Sequence, residues 1–547
     1  MVRSFLIGAL WFFRALPFFL PFNKRYFGRK SRAFPLIQPR KLWPGNADQG
    51  NRLTRGHFRF GGRQVDMAES TWYPIEVGGT WLRRLHDFNW LDDLRASSDH
   101  RARTTARALT LRWIEDHTRV RPKSWELSTL ATRLCQWMAH FEFLSSSADP
   151  GLQRQILKST TQQYAYLSWT LTNQQGGAQL IRCLKALIVV GLCLPGSGRS
   201  ISAAMKRLNQ ALASQLKADG SHIERSPATQ MRLLLDLLDI RAAFSLAGSP
   251  VPDWLNFAIA KSAEYLRMLQ HGDGRLAYFQ GAPLLDARLI QEALERADGG
   301  QSPAALSGGA SGMYRLRAGR SVLIADGGRA TAQPGIYGVH ASALAFEFSI
   351  GQVRLVSNCG TFDLDQDWAF LQRTSAAHST LVWADRNSAE LLESGGVRRE
   401  PSQILVRQGE GEGFASLHMS HNGYEDVGGG IHYRSLSLRK DGLVLRGEDR
   451  LEGAESGVPL VRFHLYPGVQ AEITQNRRSV LLRLSARERG WRFETSGAAI
   501  QIAESVVADD RGQPQRAQQI ILSPAYEGLV PEDRAMRWQF MQEGTQI

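Results

Sequence analysis

The sequence predicts an α+β multidomain chain: an all-α domain followed by an antiparallel β-sandwich. Three observations carry that prediction. From about Trp81 to Glu295 the apolar residues recur at helical spacing. After Gly299-Gly300 the period drops to two, with Leu344, Phe346, Phe348 and Ile350 alternating with small or polar residues. Asp441-Gly442 then stands between two alternating runs, Leu436/Leu438 and Leu443/Leu445, which is a strong hairpin signal.

The elements follow in order. Residues 1–47 form a basic and hydrophobic leader with nine Lys or Arg and no acid. Its apolar run from Phe5 to Phe22 is broken by Arg14, Pro17 and Pro21. A spanning helix needs about 20 unbroken apolar residues. An interfacial anchor is therefore expected first, an uncleaved signal second and a transmembrane helix third. Residues 48–300 are the helical domain. Leu130, Leu134, Trp137, Met138 and Phe141 make one apolar face, and Leu233 to Ile240 with Phe244 make another. Pro195-Gly196-Ser197-Gly198 and Gly248-Ser249-Pro250 separate helices. Residues 312–547 are the sandwich, with further strands at Val353/Leu355, Val480/Leu482/Leu484 and Trp491/Phe493.

Composition bounds the partners. The chain has 547 residues, 43% hydrophobic and 22% charged, with a net charge of +14. That is ordinary for a globular protein of two or more domains. The basic excess suits an acidic polymer or a membrane surface. No zinc-finger spacing or aromatic RNA-binding signature supports nucleic acid. Cys135, Cys183, Cys193 and Cys359 form no CxxC pair, so neither a zinc ribbon nor a disulfide framework is expected.

Five stretches carry a family resemblance. They are Trp81-Leu82-Arg83-Arg84-Leu85-His86-Asp87-Phe88, the helix that Lys185-Ala186-Leu187 closes, Asp219-Gly220-Ser221-His222-Ile223-Glu224-Arg225-Ser226-Pro227, His340 to Glu347, and Thr374 to Thr380 with Arg373 before it. Together, and ending on Phe463-His464-Leu465-Tyr466-Pro467, they resemble the heparinase II/III group of polysaccharide lyases from about Phe58 to Pro467. The resemblance implies an (α/α) toroid ahead of the sandwich. It also implies β-elimination on a uronate-containing glycan in a cleft between the two. Such chemistry needs a tuned base, a group neutralising the carboxylate, and an acid for the leaving oxygen.

The match departs at the family's catalytic places. The Asn-His pair falls on Ala178 and Gln179, the Tyr-His after the ERSP element on Thr229 and Gln230, and a sandwich His on Gly338. Of the implied His-Asp-His metal cluster, His340 and His378 remain, with Asn358 in place of the Asp. An amide and two imidazoles would hold a divalent metal such as Zn²⁺ weakly. The candidate catalytic residues are His222, Arg225, Tyr337 and His340. The candidate substrate-binding residues are Gln179, Glu224, Thr229, Gln230, His271 and Arg373. His340, Asn358 and His378 are the candidate metal ligands. Against these stand structural roles: His340 and His378 as a hydrogen-bonded pair inside the sandwich, Glu224 and Arg225 as a helix-start ion pair, Glu347 as a buried carboxylate paired with Arg373, and Trp81, Trp90 and Trp125 as core. The function expected first, because the resemblance carries it, is a lyase acting on an acidic polysaccharide. The alternative is a catalytically impaired relative that binds acidic glycan or acts as an interaction protein of the cell envelope. The expected location is the envelope, periplasmic or peripheral to the inner membrane through residues 1–47, with the cytoplasm as the alternative. Oligomeric state is not legible.

Overall fold

The computed structural model describes residues 35–545, apart from 68–71, 76, 147–149, 172–175, 283–284, 298–305, 330–337, 363–365, 412, 455, 476, 485–488, 510–512 and 526–534. The chain divides into two compact units. One takes residues up to Ser214 together with Leu235–Ile259, and the other takes Gln215–Leu234 together with Ala260–Ile547.

The first unit is helical. Leu127–Ala139 buries Leu130, Leu134, Trp137 and Met138 as its spacing predicts, and Phe141 continues the face in the short helix that follows. Lys185 to Leu187 do not close their helix but lie in the middle of Gly177–Cys193, because the apolar run Ile188-Val189-Val190 continues it. The Trp81–Phe88 element is core. Trp113 stacks on His117 at 4.4 Å between ring centroids, and Trp113 Nε1–H donates to His86 Nδ1 at 3.1 Å. Arg133 is fully buried and donates to the carbonyls of His86 and Ser124 and to Gln163. Trp81 and Trp90 are buried, and Trp125 packs edge-on against Tyr166, so these rings serve the interior. Among the described residues no helix is long and apolar enough to cross a membrane. The anchor expected before residue 35 lies outside the described residues.

The second unit carries two large antiparallel sheets. In the eight-stranded sheet the central neighbours are Gly430–Arg439, Val444–Glu452, Met536–Gln542 and Trp491–Ser496. The predicted hairpin is present, with Leu438 opposite Leu445 across Asp441-Gly442. The nine-stranded sheet runs Ala498–Ala508, Pro514–Pro524, Pro459–Leu465, Val353–Ser357, Phe346–Ile350, Ser321–Asp326, Met313–Ala318 and Leu306–Gly308, with Leu381–Trp383 also on Pro459–Leu465. Their inner faces share one core, in which Leu323, Phe346 and Phe463 meet Leu436, Trp538 and Phe540. Alternation of burial is lost in Phe346–Ile350, where every residue is buried, because Glu347 and Ser349 on the other face are covered by the segment around His271 and Tyr278. Leu344 falls outside that strand, at φ +57° in a turn.

Trp538 stacks on Phe346 with rings 5.6 Å apart and donates to Asp449 at 2.9 Å. It fits because Gly447 faces it: a Cβ there would lie 2.1 Å from Cζ2 of Trp538. Gly447→Ala is therefore expected to cost about 1–3 kcal/mol through overpacking. Urea unfolding measures it, and an unchanged midpoint would refute the account.

Candidate functional site

The element Asp219 to Pro227 lies in the second unit and opens the helix Pro227–Leu246, with Pro227 at the first helical position where its missing N–H costs nothing. Asp219 shapes the loop by accepting the Ser221 N–H and hydroxyl. His222 is fully buried. Its Nε2–H donates to Gln215 Oε1 at 3.0 Å, and its Nδ1 accepts the Glu224 N–H at 3.2 Å. Its own backbone N–H goes to Gln230 Oε1, and Gln230 Nε2 returns to the Gly220 carbonyl. Thr229 donates its hydroxyl to Glu224. Every polar atom of the imidazole is thus engaged, and burial lowers its pKa.

Arg225 sits at φ +57°, a conformation that persists only where the surroundings over-determine it. They do so here through the guanidinium, which donates to Ser311 O at 2.7 Å, Arg329 O at 2.8 Å and the Asp326 carboxylate. The helix-start ion pair expected with Glu224 is not what forms, because Asp326 outcompetes it from a strand end. Asp326 also accepts from Ser342 Oγ at 2.7 Å and Gln280 Nε2 at 3.2 Å. Gln280 Oε1 in turn accepts the His340 N–H. One hydrogen-bond chain therefore joins Arg225, Asp326, Gln280 and His340.

His340 continues the chain. His378 Nδ1–H donates to Thr374 O at 2.7 Å, which leaves His378 Nε2 to accept from His340 Nδ1–H at 3.1 Å. The pair is buried, as the structural reading expected. Burial, with His378 and Arg373 nearby, pushes the His340 pKa well below the usual imidazole range, and burial brings His378 down to about 4. A general base works best with its pKa near the operating pH. These imidazoles are far below it.

Glu347 does not pair with Arg373. Its Oε1 accepts the N–H groups of Tyr278 and Asn358 and the Asn358 amide, and its Oε2 accepts His271 Nε2–H at 3.0 Å, with Arg354 Nη1 at 3.6 Å. His271 Nδ1 meets Ser349 Oγ at 2.8 Å. Arg373 instead donates to the carbonyls of Val339, Leu392, Gly395 and Gly396, so it is a backbone clamp. Gln179 is exposed on a helix of the other unit, and Tyr337 lies outside the described residues.

The metal reading has one close pair of donors, His340 and His378. The Asn358 oxygen is spent on the Ser379 N–H at 3.0 Å and its amide nitrogen on Glu347. Among the described residues no three His, Cys, Asp or Glu side chains gather as a metal cluster. Two neutral nitrogens without an anionic ligand do not fit a divalent zinc site. Sequence reasoning missed Gln215, Gln280, Asp326 and Arg354, which organise these networks from distant chain positions and carry no local motif.

Residues 300–541 match the family description Heparinase II/III-like, C-terminal. The chain is also 30% identical over 483 residues to FtsZ-localized protein C of Caulobacter vibrioides (strain NA1000 / CB15N), covering 83% of this chain and 81% of the relative. The chain belongs to the heparinase II/III family. Solved structures agree on the fold of this family member. Heparinase III superposes with a TM-score of 0.74 at 15% identity, over 99% of this chain and 91% of that one. A mutant of the heparan sulfate lyase HepC from Pedobacter heparinus gives 0.61 at 15% identity, over 96% and 88%. The architecture is accordingly the helical toroid plus antiparallel β-sandwich of polysaccharide lyases.

Proposed function

We propose that this family member uses the lyase fold as an envelope-associated interaction scaffold at sites of FtsZ assembly, and that His222, Arg225 and His340 no longer drive β-elimination. The observation carrying this reading is that both ring nitrogens of His222 and the guanidinium of Arg225 are consumed by protein partners inside the fold. A base and a carboxylate clamp need free polar atoms facing substrate. The name of the Caulobacter relative supports the location. The basic, apolar residues 1–47 would supply peripheral membrane contact.

The test has two arms. Purified protein incubated with hyaluronan, alginate and heparosan should generate no ultraviolet absorbance from unsaturated uronate, and a fluorescent fusion should overlap FtsZ in dividing cells. Unsaturated product that disappears in His340→Ala would sink the scaffold reading. It would favour the second reading, a lyase with a reorganised site. That alternative draws on one feature: His340 Nε2 keeps its lone pair while Nδ1–H is held by His378.

A further inference from the structure

The outer face of the eight-stranded sheet holds a trench of about 460 Å³, lined by residues outside the quoted motifs. Leu436, Leu438, Trp538, Phe540 and Phe493 point into the sandwich core, so their neighbours along each strand point outward. The register lines these neighbours up in two rows across four strands. One row is Ser435, Glu448, Arg537 and Ser496, and the other is Ser437, Arg446, Gln539 and Glu494. At about 4.8 Å between strands, each row is about 14 Å long.

The rows are preordered. Arg537 donates to Glu448 at 2.8 Å, and Gln539 Nε2 donates to Glu494 at 2.9 Å. Ser437 shares a hydrogen bond with Ser416, whereas the hydroxyls of Ser435 and Ser496 have no partner among the described residues. Arg446 lies over the Phe414 ring at 5.1 Å and has no carboxylate partner among the described residues. Short hydroxyls on the floor, planar donors and acceptors on the walls, and one uncompensated cation call for a ligand rich in hydroxyls with an anionic group.

A peptide is the poorer fit. The trench is at the middle of the sheet, where the strand backbones are already paired on both sides, so no strand can be added. Its lining offers no deep apolar pocket for an anchor side chain.

We propose that this trench is a carbohydrate-binding site for a carboxylate-bearing oligosaccharide, with Arg446 taking the carboxylate and the Ser435, Ser496, Gln539 and Glu494 groups taking hydroxyls. It is separate from the networks of His222, His340 and Glu347, and it stands whether or not the scaffold reading above holds.

Calorimetric titration of the full chain with hyaluronan oligosaccharides tests it, beside neutral chitin oligosaccharides and polyglutamate. Saturable binding of the uronate oligomer is expected, weakened at least about tenfold by Arg446→Ala, the scale of a lost charge-assisted hydrogen bond. Ser435→Trp, which fills the floor, should abolish it with the unfolding temperature preserved. If Ser435→Trp does not fold, Arg446→Ala alone decides. Absent binding by the unmutated protein, equal binding by Arg446→Ala, or equal affinity for the neutral oligomer would overturn the proposal. Full displacement by polyglutamate at equal concentration would reassign the trench to acidic peptides and overturn it too.

Discussion

Replacing Glu347 with alanine is expected to lower the thermal unfolding midpoint by about 5 °C, the equivalent of about 3 kcal/mol in a unit of this size. The carboxylate is fully buried and is the acceptor for His271, two backbone N–H groups and the Asn358 amide. Removing it leaves those donors orphaned and takes one of two anions from the buried Arg354. The other, Asp273, stays at 3.0 Å, which keeps the loss at the lower end of the range for a broken buried pair. Glu347→Gln preserves an acceptor oxygen and should lose less than half as much. Differential scanning calorimetry separates the two variants. An unchanged midpoint for the alanine variant would mean that the network contributes nothing to stability, contrary to the geometry.

The second large effect is acid lability. His222, His271, His340, His378, His421, His432 and His464 of the sandwich-bearing unit all have pKa values lowered chiefly by burial, to about 4 for His378 and about 3 for His464. An unfolded histidine titrates at about 6.5. Each buried neutral imidazole therefore contributes stability that is complete above pH about 6.5 and erodes as pH falls towards its folded value. Each such group removes up to about 1.4 kcal/mol per pH unit in that window. Several acting together should bring the unit to unfolding between pH about 6 and 4. His432 and His271 face carboxylates, Asp449 and Glu347, which soften but do not reverse their shifts. Chemical denaturation at a series of pH values checks this, and a midpoint that stays level from pH 7 to 4.5 would contradict it.

Much of the fold was legible because hydrophobic period is a local property. The switch from the face of Leu130 and Leu134 to the alternation around Leu436 and Leu438 needs only a dozen residues to show. At Phe346–Ile350 the residues alternate as predicted but burial does not, because the polar face of Glu347 and Ser349 is covered in its turn. The candidate site was legible only as a set of residues. The buried pair of His340 and His378 was readable from the motifs, and so was a buried role for Glu347. Its partner was not, since Arg373 and Arg354 are equally plausible in sequence and only the fold places four carbonyls around one of them and carboxylates around the other. Asp326 gave no signal at all, because it lies 101 residues from Arg225 along the chain.

That link between Arg225 and Asp326 constrains how such a chain can diverge. A substitution at either position alone strands a charge in the interior, so the two can change only as a pair. Thr229 and Gly338 carry no buried charge, although Thr229 donates to Glu224 and Gly338 sits at φ +77°. Arg225 would therefore be kept for architecture alone, and its presence does not by itself report catalysis.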